Sequence, residues 1–357
     1  MKTYVRFIIF VFLKSFINIF FVIFGLVLIL NLLSELDFFK EMDVKTTFPL
    51  YLSILNSLSL IFEMFPFIFL ISTQFFFISF FKNNELEIFK YSGLKNLEII
   101  KILCLLTFFL GLMIVTFFYN LSSNFKNLYL DLKSDYTSDG KYLAVITNNG
   151  LWIKDKVENK TLIINSAKIE PNHLINTFIS EFDNDYRVIR NIKSNKINIK
   201  NNVWIINNAE IFIENVKSNE KELKIKSNFN YERIQSLYSN LSSLSIFELF
   251  ELKKNYKLLG YSTVEVDVQI QKLISYPFYF LLMTIFSSII MLNSKKLKNT
   301  SIKIAIGLFF SVIIYYVNNF FYVLGNTERI PLIISVWIPL FFLCTINITM
   351  LRKINEK

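Results

Sequence analysis

The chain has 357 residues, of which 53% are hydrophobic, and carries a formal net charge of +10. Several apolar runs approach or exceed the roughly 20 residues that cross a bilayer as a helix, which excludes an ordinary soluble domain. Such positive charge would suggest nucleic acid in a soluble protein, but here it is concentrated in short loops between the runs, and nucleic acid is not implied.

Run one covers residues 7–33, with Lys14 near enough to the amino end to snorkel to the surface. No small-residue cleavage site follows it, so a retained helix is expected. The loop at 34–47 holds Glu35, Asp37, Lys40, Glu41, Asp43 and Lys45. Run two, 48–81, is too long for one straight span. Its core is 64–81; the part before Glu63 is a helix extension or an interfacial piece, and Pro66 is expected to kink the join. Glu63 is either at the interface, the favoured reading, or an intramembrane acid.

Residues 82–101 read KNNELEIFKYSGLKNLEIIK, a charged segment between two apolar runs. Asn84 can cap a short helix, with Glu87 closing a capping box. Leu86 and Phe89 share a face of it. Gly93 supplies the left-handed residue that ends helices, and Asn96 can cap the next one. This stretch is either a plain capped connector or a helix that receives a push from a partner outside the bilayer.

Run three is 99–119. From 120 to 267 the chain is polar and alternating, and strands are predicted at 142–147, 151–154, 161–169, 174–182, 186–192, 203–213 and 223–229. Asn148-Asn149-Gly150 is a tight-turn signal between the first two. Repeated short strands suggest a sandwich or an open jelly roll. Residues 245–259 have helical spacing and end at Gly260. Run four is 273–292, a basic loop spans 295–303, run five is 304–324, Glu328 and Arg329 mark a turn, and run six is 331–351. The expected fold is therefore a polytopic α-helical membrane protein. Residues 1–120 hold three helices and a coupling helix at 83–93, 121–268 an all-β jelly-roll-like domain, and 269–357 three more helices.

Charge sets the expected orientation. One side holds Lys2, Arg6, Lys14, Lys82, Lys90, Lys95, Lys101, Lys295, Lys296, Lys298, Lys303, Arg352, Lys353 and Lys357, with few acids; the short loops opposite are acidic. The positive-inside rule puts both termini and the loop helix in the cytoplasm and the strand-rich domain outside. That domain, with 20 basic and 18 acidic residues, is almost neutral.

No GxxxxGK[ST], HExxH, CxxC or GxSxG motif occurs, so no ATPase site, cofactor or metal is implied. Cys104 and Cys344 lie in apolar runs and read as small buried hydrophobes. His173 follows Glu170-Pro171 at a turn and reads as a surface residue.

The layout of three spans, a strand-rich domain and three more spans resembles the lipopolysaccharide-export permease family, LptF and LptG. Asn84-Glu85-Leu86 followed by Ser92-Gly93 is similar to that family's NSEL…SG coupling segment. Gly150-Leu151-Trp152-Ile153-Lys154-Asp155 is similar to the GLW-x-[KR]-D opening of the LptG outer domain and favours LptG over LptF. Residues 244–277, Pro331 and Trp337-Ile338-Pro339 also look familial. The resemblance implies a transport subunit without its own ATPase site, in a bacterial inner membrane. Its implied partners are an LptB-like ATPase dimer, an LptF-like second permease, an LptC-like periplasmic bridge protein and lipopolysaccharide. It implies Asn84, Glu85, Leu86, Phe89 and Gly93 as coupling residues, and a β domain whose apolar inner face carries acyl chains. Family members tend to place bases at the outer end of span one. Here that turn reads Ser34-Glu35, so the lipid-binding set falls to Lys40, Lys126 and Lys133, unless these are ordinary interfacial lysines. Two other classes stay open: a lipoprotein-releasing-type ABC permease, which has a smaller bundle, and a structural membrane protein with an extracellular β sandwich, which needs no capped coupling helix.

Overall fold

The computed structural model describes residues 3–45, 47–82, 85–91, 93–134, 136, 151–157, 160–170, 172–213, 216–231, 234, 240–259, 262–292 and 300–355. The predicted strand at 142–147, the Asn148-Asn149-Gly150 turn and Gly260 lie outside these residues.

Six helices are long and apolar enough to cross a membrane. Helix α1 is Thr3–Phe38, α2 Thr47–Lys82 and α3 Glu85–Tyr91; α4, Asn96–Met113, passes through a π-helical turn, Ile114–Phe118, into α5, Tyr119–Ser134. After six strands come α6, Ile246–Leu259, α7, Val264–Leu292, α8, Thr300–Asn326, and α9, Leu332–Asn355. The chain divides into two compact units: Met1–Tyr129 with Leu241–Leu249 and Val264–Lys357, and Leu130–Asn240 with Phe250–Thr263.

In the first unit α2 and α7 are the central helices: 56% and 78% of their spanning windows are buried, against 11% for α1 and 17% for α8. Aromatic rings fill the contact. Phe69 stacks on Phe280 at 4.9 Å, and Phe62 on Tyr276 at 5.2 Å. In lipid such packing, rather than removal from water, holds helices together. Helix α2 runs unbroken through Pro66, so the stretch before Glu63 is a helix extension and not a separate interfacial piece. The third span is also longer than its apolar run. Its polar continuation keeps helical spacing, burying Tyr119, Ser122, Ser123, Tyr129 and Leu130 on one side. Helix α6 opens with a capping box: Ser245 N–H donates to Glu248 Oε2 at 2.7 Å, and Glu248 N–H to Ser245 Oγ at 3.3 Å.

The second unit holds one six-stranded antiparallel sheet in the order β1-β2-β3-β4-β5-β6. Its strands are β1 Leu151–Val157, β2 Lys160–Glu170, β3 His173–Phe182, β4 Val188–Asn198, β5 Val203–Ile213 and β6 Val216–Lys226. Each strand pairs with the next, so the connectivity among the described residues is a meander. Strand β6 starts seven residues before the predicted 223. Its charged, exposed residues hide the alternation that betrays a strand, and predicted residues 227–229 lie beyond its end.

Ile153, Ile164, Ile179, Ile192 and Ile211 stand opposite one another across five strands, none more than 3% exposed. Each contributes about 1.5–3 kcal/mol by burial. Beyond the next row the ladder breaks along a single line through Ala167, Asn176, Asn195, Asn208 and Lys221, and between β4 and β5 the break also takes in Ser194 and Ala209. Asn176 and Asn208 have φ near +50°, a left-handed conformation that asparagine tolerates better than most residues. This line creases the sheet and switches the buried parity in β3, β4 and β5 together. On one side Thr177, Ile179, Ile192, Ser194, Ala209 and Ile211 are buried; on the other, Leu174, Ile197, Ile199, Trp204 and Ile206. An extra residue in one strand would turn its far half inside out. Inserted in step, the extra residues keep one face apolar throughout.

The chain after β6 straps this apolar face. Asp155, fully buried in β1, accepts from Ser227 Oγ at 2.7 Å, Asn228 N at 2.9 Å and Asn228 Nδ2 at 2.8 Å. Trp204 Nε1 donates to Phe229 O at 2.7 Å, and Tyr231 N to Ile199 O at 2.8 Å. Phe229 and Ile234 are fully buried. The described residues after β6 thus bond across part of the face expected to carry acyl chains.

Candidate functional site

Helix α3 is short, so its ends and its docking define it. Gly93 sits at φ +83° and Leu94 N donates to Phe89 O at 2.9 Å, the closing bond of a Schellman turn. Leu94, which follows the turn, is buried. Phe89 stacks on Phe80 of α2 at 5.7 Å and lies 6.1 Å from Phe7 of α1. These ring contacts fasten α3 to α1 and α2. Among the described side chains of α3 the exposed apolar ones are Ile88 and Tyr91, 60% and 89% exposed. Sequence reasoning passed over them, although their spacing of three was visible. Glu85 heads the helix, half-buried and engaged within the chain. Asn84 and Ser92, and the side chains of Leu86, Glu87 and Lys90, lie outside the described residues. Asn96 does not cap α4. The cap position is Lys95, extended at φ −79° and ψ 149°, and no side chain bonds there.

At the α1–α2 loop end, a polar network ties three helices. Lys126 Nζ donates to Asn56 Oδ1 at 2.6 Å, Asn56 Nδ2 to Asn31 Oδ1 at 2.9 Å, and Asn31 Nδ2 to Ser53 O at 3.0 Å. Tyr129 lies under the Lys126 ammonium at 4.7 Å and donates to Glu35 Oε1 at 2.8 Å. Glu35, the acid standing where bases were looked for, is 1% exposed. Of the three predicted lipid-binding lysines, Lys40 is exposed just beyond α1, Lys126 is half-buried in this network, and Lys133 is buried near the end of α5.

A second polar cluster was not foreseen. Glu63 Oε1 of α2 pairs with Lys272 Nζ of α7 at 3.4 Å. The ammonium also faces Tyr276 at 5.7 Å and Tyr322 at 5.5 Å. These residues, with Tyr279, Tyr315 and Asn318, line a cavity of about 20 Å³, room for about one water. Glu63 and Lys272 are far apart in the chain, and nothing local to either announces the other.

No curated protein matches the chain. The family described as lipopolysaccharide export system permease LptF/LptG matches residues 6–353. With six spanning helices, a six-stranded antiparallel sheet between the third and fourth, and a match over nearly its whole length, this chain belongs to the LptF/LptG family of lipopolysaccharide export permeases.

Proposed function

We propose that this chain is the LptG-like permease subunit of the ABC transporter that extracts lipopolysaccharide from the inner membrane. A separate LptB-like ATPase dimer powers it, an LptF-like subunit pairs with it, and an LptC-like protein takes the lipid onward. The observation that carries this reading is the family match over residues 6–353. The Leu151-Trp152-Ile153-Lys154-Asp155 opening of β1 supports the LptG side. The chain lacks the glycine-rich lysine motif that holds ATP, so hydrolysis falls to the partner.

In this reading α3 seats on the cytoplasmic ATPase. Tyr91 and Ile88 supply the apolar contact, Glu85 lies at the first turn where the helix dipole favours a carboxylate, and Phe89 passes the push to α1 and α2. Lys40, Lys126 and Lys133 are the lysines that meet lipid phosphate. An edge of the sheet, at β1 or β6, accepts strands of the onward carrier. Purification from detergent tests the assembly. Recovery of an ATPase subunit and a second six-span chain is expected, and Ile88→Ala with Tyr91→Ala should weaken ATPase recovery about tenfold, as loss of an aromatic hot spot does. Isolation of the chain alone, or with the ATPase held equally well by the double variant, would refute it.

A further inference from the structure

Lys303 was expected in a basic loop, but it lies in the first turn of α8 and is only 4% exposed. A cation there opposes the dipole of its own helix. Its ammonium instead donates to Met291 O, next to the last residue of α7, at 2.9 Å, where the dipole of the neighbouring helix favours it. The same ammonium faces Phe81 of α2 at 5.5 Å. The Lys303 carbonyl accepts from Gln74 Nε2 of α2 at 3.1 Å. Gln74 is fully buried, and a Cβ on Gly307 of α8 would run into its amide. One residue thus joins the ends of α7 and α8 to the last two turns of α2, the helix that leads into α3.

We infer that Lys303 is a positioning residue: it makes α2, α7 and α8 answer together when α3 is pushed. This rests on the coupling role proposed for α3. A second arrangement of the clasp is part of the inference. Among the described residues Gln74 Oε1 is buried without a hydrogen-bond partner, while the ammonium carries three donors. Trading Met291 O for Gln74 Oε1 would free the end of α7 and keep the charge satisfied. A two-state contact of this kind is what couples distant sites.

The test uses the whole complex in lipopolysaccharide-loaded proteoliposomes, with lipid released per ATP hydrolysed as the readout. Lys303→Met should keep partner recovery and ATP hydrolysis at wild-type levels, yet release at least about fivefold less lipid per ATP, the lower end of measured coupling factors. Lys303→Arg should restore most of it. Gly307→Ala, which separates α2 from α8 and leaves the charge in place, should shift the same ratio in the same direction. Wild-type release per ATP in both Lys303→Met and Gly307→Ala would overturn the clasp and leave the permease reading intact. Loss of complex recovery and hydrolysis together in both would assign a purely structural role and also overturn it. A wild-type chain that binds no ATPase would instead overturn the permease reading and the clasp with it.

Discussion

Glu181 shows how neighbours set the chemistry of one side chain. It points to the buried face of β3, where burial alone would raise its pKa. Lys160 Nζ at 2.5 Å and Arg190 Nε at 2.5 Å outweigh that and hold the carboxyl below its usual range. A carboxylate with a lowered folded pKa stabilises the fold above its unfolded pKa, and that stability is lost as pH falls through the folded value. Glu181→Gln should therefore cost about 2 kcal/mol at pH 7, the size of a charge-assisted hydrogen bond. The gap from wild type should close in acid. Denaturant unfolding of the purified chain, followed by tryptophan fluorescence at several pH values, measures it; a pH-independent gap would contradict the ion-pair account. At this scale the sequence was least legible. It identified Lys126, Lys133 and Lys303 as basic residues near span ends, but not that Asn56 holds the first, that the second is buried, or that Met291 holds the third. Partners dozens of residues away leave no mark on local pattern.

Elements were more legible, because periodicity and turn chemistry are local. All six spans were evident from their apolar runs, β5 matched its predicted bounds, and Gly93 ended α3 as its residue type suggested. The misses have physical causes. Helix α5 is polar enough to look like loop, and β6 has almost no buried face. Gly93 has open space around it, so a substitution there meets backbone strain alone. Gly93→Val should uncouple ATP hydrolysis from lipid release, and Gly93→Asn, which tolerates positive φ, should do so much less; equal effects would point away from the turn. In the β domain, Asp155→Ala strands the Asn228 backbone N–H and should cost about 3 kcal/mol, with new protease sensitivity in the strap after β6. Unchanged proteolysis would separate Asp155 from the strap.

For the whole molecule, composition and charge carried most of the architecture, and the family match extends it over nearly the full length. Orientation is a prediction of charge asymmetry. Asn201→Cys, exposed between β4 and β5, should react with an impermeant reagent added outside intact cells, and Lys95→Cys, exposed before α4, should not. The opposite pattern would invert the topology. The order of the strands has a consequence for how such a chain is made. Each described strand after β1 finds a partner in the strand synthesised just before it. The β domain can therefore zip up progressively during synthesis, with no early strand left waiting for a late one. Among the described residues the clasp of Asp155 on Ser227 and Asn228 spans the whole sheet, and it can close when the last strand has arrived.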